Sequence, residues 1–386
     1  MKFLPFEYAT RNLGRSPMRL VLTVFGSGLV VLLIMIASSF MIGMQTTFAV
    51  SGSDQNIMLL GAGSVESVER SEVAMDTAGI VAASINGFRK HAGIEGVSPE
   101  VHIQMPIQVD GEERLVLIRG VRPEAFLVHD QVQITHGIAP RNGQNEMVIG
   151  KLAATTLGYI EANHAIGSQI KLDDDLYTVS GIMSSGGGII EGEIWTSLTD
   201  LLITSQRDTL SCIIVALESA KKTELQMFTA SRIDLELAAI SEEEYFSALA
   251  NFYRPIEIIV VITCAMIAFG GMLGGFNSTY AAFASRVREV GTLQTLGYQR
   301  GAIAWSLVQE SVLSASMGAV IACSISIFLL DGFAVRFSMG TFTLSMTSGV
   351  VALGIGSGLL LGVIGAAAPA LRCLRLPIPE ALRASE

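Results

Sequence analysis

Five histidines, His91, His102, His129, His136 and His164, fall between two long apolar runs. A hydrolytic zinc site would want two of them four residues apart on a helix, with a glutamate beside the first. No pair here stands at that spacing or in any other close ligand pairing, so no metal site is expected. Asp173-Asp174-Asp175 supplies carboxylates, but a calcium loop spreads its ligands over about twelve residues. It reads as a solvated turn before a strand. Ser197 and Ser211 lack the glycine-flanked elbow that exposes a nucleophile. Gly150-Lys151 lacks the upstream glycine and following Ser or Thr of a phosphate-binding loop. Cys264, Cys323 and Cys373 lie in or beside apolar runs, and Cys212 alone lies in the polar middle, which therefore cannot hold an intrachain disulfide. These residues predict no catalytic group, no metal and no cofactor on the chain.

Glu310, beside Gln309, interrupts an apolar run. A charge at the bilayer centre costs about 2.5–3.5 kcal/mol on insertion scales. Counted from Arg300 it lies about 15 Å along a helix, near mid-membrane or nearer the inner interface. A polar helix–helix contact is expected. A proton relay is the alternative, but no second intramembrane acid or histidine accompanies Glu310.

The elements that carry these residues follow from composition. The chain has 386 residues, 16% of them charged, and a mean hydropathy of +0.52. Soluble proteins carry nearer a quarter charged. Four apolar runs, at 20–42, 255–284, 302–330 and 344–370, each reach the roughly 20 residues a helix needs to cross a bilayer. The first is longer than the 7–15 residues of a signal-peptide core, so a retained anchor is expected. Lys2, Arg11, Arg15 and Arg19, then Arg286, Arg288 and Arg300, then Arg372, Arg375 and Arg383 collect on one side, while the loop 331–343 has only Arg336. Positive residues mark the cytoplasmic side. The expected order is therefore a cytoplasmic segment 1–19, an extracytoplasmic domain 43–254, a cytoplasmic loop 285–301, a short outer loop 331–343 and a cytoplasmic tail 371–386. Residues 43–254 hold 14 Lys and Arg against 28 Asp and Glu.

That domain reads as α+β. Val101–Val109 and Arg114–Val121 alternate around Asp110-Gly111, a hairpin signal. Glu146–Gly150, Gln169–Leu172, Tyr177–Ile182 and Ser211–Leu217 read as strands. Thr77–Lys90 and Ser219–Leu237 read as helices, and Gly186-Gly187-Gly188 as a flexible tip or turn.

Gly354, Gly358 and Gly362 stand four apart in the fourth run, and Gly270/Gly274 and Gly271/Gly275 do so in the second. Small residues at that interval let helices approach closely, either within one chain or between two. In the loop 285–301, Val287, Val290, Leu293 and Leu296 fall three apart beside Arg286, Arg288 and Glu289, and Gly297 is a plausible helix stop. Such a stripe suits a partner's groove or the membrane interface.

Three segments resemble the MacB/FtsX/Lol-type ABC transporter permeases. Arg288–Gly297, REVGTLQTLG, with Gln309-Glu310-Ser311 after it, is similar to the family's Arg-Glu-Ile-Gly-x-Leu-Arg-x-Leu-Gly run. Ala9–Leu22 and Pro369–Arg383 are similar to its opening and closing segments. Gly96-Val97-Ser98-Pro99, Gly120-Val121-Arg122-Pro123, Glu146–Leu157 and Ile194-Trp195 match more loosely. Gln294, Thr295 and Cys373 depart from the usual residues and are expected to tune contacts with a particular ATPase.

The resemblance implies a non-catalytic permease in the cell inner membrane, with both termini cytoplasmic. Arg286, Val287, Arg288, Glu289, Val290, Gly291, Leu293, Leu296 and Gly297 would couple it to a separate ATPase that binds ATP and Mg. A second permease chain would complete a 2:2 assembly. Efflux with a periplasmic adaptor and outer-membrane channel is the leading job. Extraction of lipids or lipoproteins, activation of a cell-wall hydrolase, and a non-transporting sensor are the alternatives. Membrane lipid is a partner and nucleic acid is not.

Overall fold

A computed structural model describes residues 6–109, 112–159, 161–337, 340–375 and 377. The chain divides into two units, one of residues 1–42, 255–333 and 344–386, the other of 43–254 with 334–343.

Among the described residues, four helices are long and apolar enough to cross a membrane. They span Pro17–Ser51, Glu242–Ala284, Arg300–Ile325 (continuing as a π turn to Leu330) and Ser348–Arg375. Pro17 occupies the first helical position, where its missing N–H costs nothing. In a bilayer a helix is the state that satisfies every backbone group within its own segment. A short helix, Phe6–Arg15, precedes the first of them.

Small residues set the packing in this unit. A methyl on Gly318 would fall 2.5 Å from the Val24 carbonyl oxygen and 2.8 Å from the Gly28 nitrogen, so the first and third apolar helices meet backbone to backbone. Gly354, Gly358 and Gly362 serve the same end: a methyl there would meet Met35 Sδ at 2.6 Å, Ala319 Cβ at 2.5 Å and Val312 Cα at 2.7 Å. All three glycines are therefore used within the chain. Gly271 faces Val30, whereas Gly270 and Gly274 have nothing within 4 Å among the described residues.

The other unit is built on a ten-stranded mixed sheet among the described residues. Its path runs Leu237–Ser241, Asn56–Gly61, Cys212–Ala216, Val97–Val109, Glu112–Val121, Glu193–Ser197, Glu146–Gly150, Asp175–Ser184, Gln133–Gly137, with Gln169–Leu172 pairing two of these off the path. Helices Thr77–Ser84, Lys151–Thr156, Leu198–Thr204 and Lys222–Ser231 bring Val81, Ala153, Leu201 and Leu225 into one core with Ile57, Ile118, Ile149 and Tyr177 of the sheet.

The hairpin pairs Val109 with Glu112, which leaves a two-residue connection, Asp110-Gly111, outside the described residues. Asp173-Asp174 closes a second hairpin, with Leu172 paired to Asp175, and the Asp174 side chain is 98% exposed. Both predicted helices are shorter than expected. Thr77–Ser84 stops before Gly87, whose φ of +98° is closed to other residues, and Lys222–Ser231 stops four residues before a three-residue 3-10 turn ends. Of the two readings of the glycines, the structure has the turn, at Gly186-Gly187, held by Glu191, which accepts from Ser184 Oγ at 2.8 Å, Ser185 N at 3.2 Å and Gly187 N at 3.1 Å. Residues 331–343 are more than a loop. Ala334–Phe337 and Gly340–Thr343 pair as a hairpin, and Thr341 lies against Gly192 and Thr156 of the mixed-sheet unit.

Candidate functional site

Val287–Thr295 forms a helix between the second and third apolar helices. It ends in a Schellman motif: Tyr298 N donates to Leu293 O at 3.2 Å and Gly297 N to Gln294 O at 3.1 Å, with Gly297 at φ +89°. Only a residue without Cβ takes that conformation cheaply, so Gly297 is the stop its position suggested.

The apolar stripe faces inward. Val290 is buried with Phe283 and Ile303, and Val287, Leu293, Tyr298 and Leu307 pack on that cluster. Val287, Val290 and Leu293 are thus covered by side chains of their own chain. Leu296 is the exception, at 62% exposed. Gly291 and Gln294 are buried as well, and neither polar atom of the Gln294 amide has a hydrogen-bond partner among the described residues. Gln294 thus faces inward, while Thr295 is exposed. The outward face is Arg288, Glu289, Thr292, Thr295, Leu296 and Gly297.

Arg286, the residue that caps this helix, also turns inward. Its guanidinium donates to Glu310 Oε2 at 3.0 Å and to the Asn12 carbonyl at 3.4 Å. Arg19 donates to the other Glu310 oxygen. Glu310 therefore joins the first and third apolar helices to the start of the loop helix, a polar helix–helix contact as expected, with arginines as the partners. At the surface Arg15 pairs with Glu289 at 3.0 Å. An exposed pair of this kind contributes about 0–1 kcal/mol.

Two family models match the sequence. The MacB-like periplasmic core domain covers residues 20–226 and the FtsX-like permease C-terminal domain covers 261–378. The chain belongs to the MacB/FtsX-type ABC transporter permease family. Membership implies an ABC ATPase partner and a dimeric permease. No curated protein matches the chain. Three solved structures are similar to it. The periplasmic region of MacB from Actinobacillus actinomycetemcomitans is 10% identical, with a TM-score of 0.41 over 52% of this chain and 95% of that one. The extracellular domain of the transporter YknZ from Gram-positive bacteria is 13% identical, with a TM-score of 0.37 over 48% and 98%. A domain of a permease protein from Porphyromonas gingivalis is 12% identical, with a TM-score of 0.33 over 48% and 87%.

The permease also buries a charge cluster in its mixed-sheet unit, which spacing along the sequence did not reveal. Adjacent strands place Glu100 beside Cys212 and His102 beside Arg119. Arg119 grips Glu193 with two bonds, at 2.7 and 2.8 Å, and reaches Glu100 Oε2 at 2.9 Å. Glu100 also meets His129 Nε2 at 3.0 Å and His102 Nε2 at 3.2 Å. Trp195 Nε1 donates to Glu193 at 2.8 Å. Glu242, the first residue of the second apolar helix, accepts from Asn56 Nδ2 at 3.0 Å and lies 3.8 Å from His129 Nδ1.

Opposite charges outweigh burial at Glu100, Glu193 and His129, and burial prevails at His102, Glu242 and Cys212. Burial pushes the Glu100 carboxyl up, but His129 and Arg119 together hold it well below the usual range. Glu193 is lowered too, burial being overcome by Arg119. His129 is raised because Glu100 outweighs its burial. Burial, reinforced by Arg119, lowers His102. Burial also raises Glu242 and pushes the Cys212 thiol well up. Beside the cluster lies an apolar cavity of about 40 Å³ lined in part by Phe48, Tyr253 and Phe342, with His102 and Arg119 at its polar side. A water needs about 10–15 Å³, so this space suits a few waters, not an organic ligand. Glu100 and His102, two apart on one strand, were a readable same-face pair. Nothing in the sequence said that Cys212 pairs beside them.

Proposed function

We propose that the permease couples ATP hydrolysis on a separate ABC ATPase to movement of its extracytoplasmic domain, in export with a periplasmic adaptor and an outer-membrane channel. Residues 1–19, 285–301 and 371–386 face the cytoplasm, and 43–254 lie outside. ATP and Mg are bound by the partner. Two permease chains and two ATPases form the working unit, and no substrate crosses the bilayer core.

The observation that supports this best is the two-sided loop helix. Its inward side is fixed to the apolar helices by Val290 and the Arg286–Glu310 bond. Its outward side presents Arg288, Glu289, Thr292 and Leu296 to whatever docks there. A helix held on one side and free on the other can pass a push from its partner to the helices behind it. The match of residues 20–226 to the MacB-like periplasmic core domain supports a folded extracytoplasmic domain on which such movement would act.

The test is copurification from membranes of cells expressing the permease with its neighbouring genes. An ATPase and an adaptor in stoichiometric amounts would bear the proposal out. A bound lipoprotein with no adaptor would replace export by lipoprotein extraction, and a permease that recruits no ATPase would overturn the coupling itself.

A further inference from the structure

We propose that Glu100, His102 and Cys212 form a binding site for one divalent transition-metal ion of the zinc class. The three donor atoms converge: Glu100 Oε2 lies 3.2 Å from His102 Nε2, His102 Nε2 lies 3.7 Å from Cys212 Sγ, and all three fall within 4.8 Å of one another. Tetrahedral zinc, with bonds of about 2.0–2.3 Å to O, N and S, sets its ligand atoms about 3.3–3.8 Å apart. Little movement is needed to seat the ion.

The sheet holds these donors in place before any ion arrives. Glu100 and Cys212 are direct cross-strand partners, and His102 lies two residues on, so all three side chains share one face. Neighbours orient the ligands as outer groups do in metal sites. Ser98 Oγ donates to Glu100 Oε1 at 2.8 Å, and Ser211 Oγ accepts from the His102 main-chain N–H at 2.9 Å. Arg119 remains on Glu193 and on the second lone pair of Glu100 Oε2.

The donor set selects the ion. Calcium and magnesium take oxygen ligands throughout, whereas one thiolate, one imidazole and one carboxylate suit zinc or a similar ion. Binding releases the Cys212 proton to solvent, so the new thiolate offsets one charge of the ion, and Glu100, already facing Arg119 and His129, is shared with it. The fourth position falls to a water from the cavity that His102 lines. So occupied, the site would tie the strand Cys212–Ala216 to Val97–Val109.

The experiment uses the full chain in nanodiscs without a polyhistidine tag, with Cys264→Ala, Cys323→Ala and Cys373→Ala leaving Cys212 as the sole thiol. Titration with cobalt(II) is expected to give a sulfur-to-cobalt charge-transfer band saturating at one ion per chain and displaced by zinc. Cys212→Ser should abolish the band, and His102→Gln should weaken cobalt affinity at least about tenfold. A folded parent protein, judged by the near-ultraviolet dichroism of its tryptophans, that shows no band overturns the site without recourse to any variant. A band of undiminished affinity in His102→Gln overturns it too.

Discussion

Arg286 donates to both oxygens of Glu310, at 3.0 and 3.4 Å, from the position that caps the loop helix. The carboxylate is shared with Arg19, and all three side chains are at most a quarter exposed. Removing one partner from a buried ion pair typically costs about 3–5 kcal/mol, more than the pair contributes over an apolar replacement. Glu310→Leu is therefore expected to destabilise the permease strongly, because two guanidinium groups lose their counter-ion. Glu310→Leu with Arg286→Met and Arg19→Met should recover much of that loss. Thermal unfolding in detergent checks both. Equal losses in the single and triple variants would mean that the cluster is not a coupled unit.

The glycines divide into two classes. Gly358→Val places methyl groups against Ala319, where a single Cβ would already lie 2.5 Å away, and overpacking of this sort costs about 1–3 kcal/mol. Gly270→Ala and Gly274→Ala meet nothing within 4 Å among the described residues. They should not lower the unfolding temperature, since Ala is the better helix former by about 0.5–1 kcal/mol, and any loss should appear in the fraction of permease that pairs with a second copy. Sedimentation in detergent separates the two effects.

The lowered Glu193 carboxyl gives stability a pH dependence of definite sign. A group whose folded value lies below its unfolded one contributes stability that is fully present above about pH 4–5 and fades as pH falls through the folded value. Trp195 donates to this carboxylate, so its fluorescence reports the event. Arg119→Met removes the cation that lowers Glu193. The acid transition should then move to higher pH. An unmoved transition would show that Arg119 does not set it.

What could be read in advance was what depends on neighbours along the chain. Asp110-Gly111 between alternating residues announced its hairpin, Gly297 after a periodic stripe announced a helix stop, and long apolar runs announced the apolar helices. What could not be read depends on strand order and helix rotation. The stripe Val287–Val290–Leu293 looks the same whether it faces a partner or its own chain, and Phe283 and Ile303 decide it. Cys212 looked solitary because its neighbours Glu100 and His102 are about 110 residues away and meet it only when the strands pair. Arg286 looked like a surface charge because Glu310 lies 24 residues beyond it, on another helix.

The two faces of the loop helix should respond differently to substitution. Val290→Asp buries a carboxylate against Phe283 and Ile303, and should lower thermal stability whether or not an ATPase is present. Arg288→Glu changes an exposed residue and should leave the isolated permease unaffected while weakening its complex with the ATPase. Unfolding and pull-down measured on the same two variants give the comparison.

The most direct measurement follows the extracytoplasmic domain while ATP is turned over. Asp174→Cys, at a fully exposed turn, carries a spin label in a permease lacking its other cysteines. The label-to-label distance across the paired permeases is read with and without trapped ATP. The distance should shift with nucleotide in the parent complex and stay fixed in Leu296→Asp, which alters the exposed apolar residue of the loop helix. A nucleotide-driven shift that survives Leu296→Asp undiminished, or no shift at all in a complex that hydrolyses ATP, would contradict the account.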